Sequence, residues 1–308
     1  MPKQEHADNM TGLRQRQQKE RLTGGTMRLL TWTVGTVFVA IFVLLAAKSS
    51  LLFSQHSLAE VLFSSTWDPQ RGAFGLYPVI LGTFAATILS MAIAVPVSLF
   101  SAIYLSEYAP RRVRGLFSTF INVLAGIPSV VFGIAALLVL VPFVADWLGP
   151  WLGVETTGMC VFTAGLVLAV MVFPIIISLS LGSLQMLPVE LREASLSMGM
   201  TQWETIKHVL LKAAAPGVIS ATLLGFGRAF GETMAVAMVI GGKNQLAGLF
   251  SAGQTMPSLI VNSFGEMMSI PVEQAALIFV ALLLFLIVTA FNILARMVKK
   301  KLRERWKI

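Results

Sequence analysis

Arg228 and Glu232 stand four residues apart in the stretch "GRAFGETMAV", residues 227 to 236, which is apolar on both flanks. An ionised side chain at the centre of a membrane helix costs about 2.5–3.5 kcal/mol on insertion scales, so two of them need a reason to be there. In a continuous helix a spacing of four puts both on one face, where they can pair. Ala221, Gly225 and Ala235 fall on the same stripe, and Gly227-x-x-x-Gly231 would let a second helix approach closely. The charges are therefore expected to face protein or a cavity and not lipid. Two chemistries fit. One is a static ion pair that holds a bundle together. The other is an anion site, in which the planar guanidinium of Arg228 takes a tetrahedral oxyanion and Glu232 neutralises it when the path is empty.

The elements around the pair must be membrane helices. The 308 residues are 56% hydrophobic and 12% charged, with mean hydropathy +0.79, whereas a soluble domain carries about 25% charged residues. Six apolar runs, at about 29–52, 76–104, 116–141, 159–186, 217–241 and 273–296, reach the roughly 20 residues a spanning helix needs. The fold class is all-α, a polytopic integral membrane protein with six transmembrane helices. Long continuous runs exclude a barrel, which would show short alternating segments. With Gly217 opening the fifth span, Arg228 lies about 16 Å in at 1.5 Å per residue, near the midplane. The third span contains "AGIPSV", with Pro128 and Ser129 between Gly126 and Gly133; Pro96 and Pro174 lie in the second and fourth. A backbone break in lipid is tolerated only where protein or a water-filled cavity supplies partners. Pro128 and Ser129 are accordingly candidates to line a path, and a packing kink is the alternative.

Charge sets the orientation. Residues 1–28, 105–115, 187–216 and 296–308 hold 19 of the 23 lysines and arginines, so these segments and both termini are expected to be cytoplasmic. The net charge of +8 thus follows membrane topology and does not point to nucleic acid. The organisation expected is a poorly ordered basic cytoplasmic tail at 1–28, a six-helix membrane domain at 29–296 and a basic cytoplasmic tail at 297–308. The apolar run from Leu29 to Ala47 exceeds the core of a cleaved signal peptide and reads as a retained span. The outer segments 54–75 and 242–272 are too short for a separate domain, and each is expected to hold a short interfacial helix. A single cysteine, Cys160, excludes an internal disulfide and a cysteine-built metal site; it reads as an inert buried thiol.

Catalytic constellations are missing. His6, His56 and His208 fall in three different segments without H-E-x-x-H, so no metal site is expected. Gly242-Lys243 lacks the glycine and hydroxyl of a phosphate-cradling loop, so no ATP site or other cofactor is expected on this chain. Uphill movement would then draw on an ion gradient or a partner. The loop 187–216 offers a docking device. Residues 189–198 read as a helix, Gly199 permits a left-handed turn, and Thr201 with Glu204 forms a capping box. The second helix has Ile206, Val209 and Leu210 on an apolar face. Such a helix–turn–helix is shaped either to dock into a groove on another protein or to lie at the membrane surface as a connector.

"EASLSMG", Glu193 to Gly199, resembles the E-A-A-x-x-x-G core of the permease loop in bacterial ABC importers, with Lys212 where a proline is usual and the nearest proline at Pro216. "GRAFGETMAVAMVIGG", "AIYLSEYAP" and "LAGIPSVVFG" together resemble the permease of the phosphate-specific ABC importers, and "GETMAV" favours its C-type subunit. The similarity extends over about residues 72–296. It implies the type I ABC importer permease architecture and inorganic phosphate as cargo. Arg228 and Glu232 are implicated in its passage, and Glu193, Ala194, Ser195 and Gly199 in coupling to the ATPase. The implied partners are an A-type permease, two copies of a cytoplasmic ATP-binding subunit that hydrolyses ATP, and a periplasmic or extracellular phosphate-binding protein, at the bacterial cytoplasmic (inner) membrane. Two rivals stay open. One is an ABC permease for molybdate, sulfate or a phosphonate. The other is a stand-alone channel or ion-coupled carrier, against which the lack of intramembrane acids beyond Glu232 argues.

Overall fold

The computed structural model describes residues 2–305. Helix α1, Pro2–Ser49, contains the first apolar span. It starts well before the apolar run, so the segment expected as a poorly ordered tail is helical. Its Arg, Gln, Lys and Glu are good helix formers, and extending an existing helix needs no new nucleus. A short helix α2, Leu58–Phe63, and a two-residue antiparallel hairpin, β1 Trp67–Asp68 with β2 Ala73–Phe74, lead into α3, Tyr77–Ile103. A wide π-type turn, Tyr104–Tyr108, closes α3, and α4, Arg111–Gly126, follows.

The third span departs from expectation. It begins at Ser129, with α5 (Ser129–Ala135), and continues through helical turns that include α6 (Val141–Phe143) and α7 (Gly149–Trp151). The expected span 116–141 joined the apolar residues of α4 to it. Pro128 forbids that join, because it drives Ile127 to extended backbone (φ −69°, ψ 129°). Helix α8, Val161–Gln185, is the fourth span, and α9, Val189–Ser197, is the loop helix.

The fifth span also differs. From α10, Gln202–Thr205, the chain runs through one wide turn into α11, Leu211–Phe230, as a single helical stretch. It stops there; α12, Met234–Val239, is a separate short helix. The expected span 217–241 thus began too late and crossed a break. Lys212, where a proline is usual, lies within this continuous stretch. Helix α13, Met256–Met267, and α14, Pro271–Arg305, complete the chain. Pro96, Pro174 and Pro216 all lie inside uninterrupted helices, so none of them opens a gap in a span.

Helix α8 is the centre of the bundle. Its most apolar window is 61% buried, against 0% for that of α1, whose Phe38 and Phe42 lie on Phe285 of α14 and whose Leu45 and Ala46 pack on the core. Small residues set the close approach: a Cβ on Gly225 of α11 would meet Ile176 and Val172 of α8 at 2.8 Å. The buried Thr83, Thr87, Ser90, Ala94 and Ser98 lie along α3 at helical spacing. Cys160 is buried at the head of α8, its Sγ 3.4 Å from Thr163 Oγ1.

Candidate functional site

The end of α11 decides the geometry of Arg228 and Glu232. The last turn closes with Gly231 N–H donating to Gly227 O and Glu232 N–H to Ala229 O, both at 3.3 Å. Glu232 then leaves the helix, and its Oε1 accepts from Ala235 N–H at 3.4 Å, holding the first turn of α12. The i,i+4 face therefore does not exist at this pair. Among the described residues no ion pair or hydrogen bond joins Arg228 to Glu232; apolar flanks had suggested a continuous helix that Gly231 ends. Ala221, Gly225 and Ala235 are buried within the chain, Glu232 is half-buried, and Arg228 is exposed on the surface of the single chain. Nothing lies within 4 Å of a Cβ built on Gly227, which is half-buried and lines a small apolar cavity with Phe230 and with Ile287, Val288 and Phe291 of α14.

The second interruption sits beside the first. Pro128 (φ −59°, ψ 142°) is exposed and ends the extended link; Ser129, half-buried, opens α5. Helix α5 packs directly on α12. A Cβ on Gly133 would meet Met238 Sδ at 2.6 Å and Ala235 Cα at 3.1 Å. Behind them Ala136, Ala235, Val236 and Val239 form one core with Val167 and Leu168 of α8. Gly133 lies in the second turn of α5 and Ala235 in the first of α12, so the two breaks are within about two helical turns of each other along the bundle. Irregular backbone between short helices, flanked by an exposed arginine, is the arrangement in which half-helices frame an ion site. Replacing Gly133 with leucine is expected to push α5 off α12. The strain of overpacking is about 1–3 kcal/mol, read as a lowered unfolding midpoint of the detergent-solubilised protein. An unchanged midpoint would mean that the two helices have room to spare.

The loop matches its sequence reading closely. Helix α9 ends in a Schellman motif: Gly199, at φ +84°, donates to Leu196 O, and Met200 N–H donates to Ser195 O. Thr201 Oγ1 accepts from Glu204 N–H, while Glu204 Oε2 accepts from Thr201 N–H at 2.8 Å, which is the expected capping box. Ile206 and Leu210 are buried and Val209 is half-buried. Glu193, Ala194 and Gly199 are exposed, whereas Ser195 turns inward and donates to Leu191 O at 2.7 Å. Met186 and Met198 are 85% and 84% exposed, and Val189, Leu196 and Trp203 join them, an apolar surface that gains from being covered. The loop and Arg228 are not brought together; they sit at opposite ends of the 202–230 helical stretch.

One charged pair escaped the sequence reading. Arg192 of α9 makes a bidentate contact with Glu107, at 2.9 and 3.0 Å, across 85 residues of chain. The bond to Glu107 raises the guanidinium further above its ordinary range, outweighing the effect of burial. The available signal was an acid in "AIYLSEYAP" beside basic loops, but no local spacing links the two.

Six apolar helices, five of them around a central α8, define a polytopic membrane protein of the transport class. The chain belongs to the family of binding-protein-dependent transport system inner membrane components, whose profile matches residues 94–304. It is 35% identical over 295 residues to the phosphate transport system permease protein PstC of Xylella fastidiosa, covering 90% of each chain. It is also 35% identical to the probable ABC transporter permease protein YqgH of Bacillus subtilis, covering 94% of each. Among solved structures, a chain of the MetNI methionine ABC transporter superposes with TM-score 0.53 at 19% identity, over 77% of this chain and 99% of that one. That likeness establishes the type I ABC importer permease fold.

Proposed function

We propose that this chain is the C-type permease subunit of an ATP-driven importer for inorganic phosphate. The observation that carries the reading is the exposed Arg228, placed at the end of a broken apolar helix beside a second broken helix. Relatives named as phosphate transport permeases over nine-tenths of the chain support phosphate as the cargo. The exposed side of α11 at Leu224 and Arg228 meets an A-type permease, and the path runs between the two. Both termini and the loop 187–216 are cytoplasmic, in keeping with the distribution of basic residues. The exposed apolar side chains of α9, with Glu193, Ala194 and Gly199, dock on a cytoplasmic subunit; two copies of it bind and hydrolyse ATP. A phosphate-binding protein delivers cargo to the outer segments.

In this mechanism closure of the ATPase pair displaces α9, and the 202–230 helix passes the motion to its far end. Arg228 is then open alternately to outside and inside, and its planar fork offers charge-assisted hydrogen bonds to the passing oxyanion. Glu232 is the nearby acid that limits how long the anion stays. The test is uptake by the reconstituted complex with a panel of labelled oxyanions, with and without ATP. ATP-dependent uptake of phosphate, competed by phosphate more strongly than by molybdate, sulfate or a phosphonate, is expected. Preference for another oxyanion would reassign the cargo. Uptake that survives ATP depletion, from a preparation lacking an ATPase subunit, would refute the importer reading.

A further inference from the structure

The turn Tyr104–Tyr108 at the end of the second span lies where side chains from three other elements converge. A helix leaves its last carbonyl groups without intrahelical partners, and here side chains take them. Arg114 of α4 donates through Nε to Leu105 O and through Nη2 to Ser106 O, both at 2.7 Å. Gln202, the first residue of α10, donates through Nε2 to Glu107 O at 3.1 Å. The Glu107 side chain, 8% exposed, accepts both forks of Arg192 and also the Ser106 hydroxyl at 2.7 Å. Arg192 in turn donates to Leu184 O in the last turn of α8 and to Leu187 O just beyond it.

We infer that Glu107 and Arg192 form the joint through which the loop helix α9 moves the spans, with Glu107 as a positioning residue for coupling. The inference rests on the importer reading above. Apolar contacts between helices can slide past one another at small cost. A bidentate arginine–carboxylate pair fixes both distance and angle, and a pair this shielded is strongly disfavoured to separate. The only loop side chain tied in this way to the second span is Arg192, among the described residues. Because the same arginine holds Leu184 O in the last turn of α8, displacement of α9 is delivered to spans two and four together. Gln202 and Arg114 extend the joint to the start of the fifth span and to α4. Glu193, one residue on, points outward and is free to meet the partner, so the two acidic ends of this device face opposite ways.

The experiment measures phosphate taken up per ATP hydrolysed by the assembled complex in vesicles. Glu107→Gln is expected to assemble and to go on hydrolysing ATP while uptake per ATP falls at least about fivefold, the lower end of coupling between linked sites. Arg192→Lys keeps the charge but loses the fork, and should give an intermediate ratio even where Glu107→Gln fails to assemble. A wild-type ratio in either assembled variant overturns the joint. So does a proportional fall of uptake and hydrolysis with the ratio unchanged, since that marks a merely structural role. Wild-type complex without ATP-driven uptake would instead overturn the importer reading, and this inference with it.

Discussion

Replacing Arg228 with alanine is expected to lower ATP-driven phosphate uptake about 10- to 150-fold while leaving the amount of assembled complex unchanged. The magnitude follows from losing one charge-assisted hydrogen bond to the cargo, about 1.5–3 kcal/mol, converted at about tenfold per 1.4 kcal/mol. The structure explains why folding should survive. Arg228 is exposed on this chain and bonded to none of its described residues, so its removal strands no buried acceptor and opens no cavity. An Arg228–Glu232 ion pair inside the bundle would have made the same substitution destabilising. Arg228→Lys should fall between, because a single ammonium cannot reproduce a planar fork. Uptake by Arg228→Ala equal to wild type would end the assignment of this residue to the path.

Replacing Gly199 with valine is expected to separate ATP hydrolysis from transport. Gly199 sits at φ +84°, in the left-handed region, and a Cβ there would meet nothing within 4 Å. The harm is therefore conformational and not steric. A side chain in this region costs about 1–2 kcal/mol, and a β-branched one is a poor occupant. Relief comes by opening the Schellman turn, which tilts α9 relative to the helix that starts at Gln202. Asparagine tolerates the left-handed region, so Gly199→Asn should keep uptake per ATP near wild type, although it adds a larger side chain. If valine and asparagine behave alike, the turn is not what α9 needs.

Much of the fold could be read from composition, because twenty apolar residues in a row have few structural alternatives. The loop was legible for a different reason. Its determinants are local: Gly199 for the turn, Thr201 and Glu204 for the cap, Ile206 and Leu210 for the buried face. The breaks were less so. Hydropathy sums side chains and does not register whether the backbone hydrogen bonds continue, so Leu116 to Leu124 were merged with the third span and Met234 to Val239 with the fifth. Pro128 was recognised as a break, yet placed inside a span when it stands at the beginning of one. The charged pair misled in the same way, since a spacing of four has meaning only while the helix lasts, and Gly231 ends it. Glu107 and Arg192 lie beyond any local rule: their contact exists only once α3 and α9 have been packed against α8.

The uninterrupted run from Gln202 to Phe230 has one more consequence. Gln202 and Arg228 are separated by 26 residues, about 39 Å of helix at 1.5 Å per residue. Such a rod is a lever arm, and its amplitude grows with distance from the fulcrum. If it pivots at its loop end, a tilt of about 5° swings the guanidinium by about 3 Å, the length of one hydrogen bond. A partner gripping the loop thus needs only a slight rotation to make or break contact with an anion at the far end.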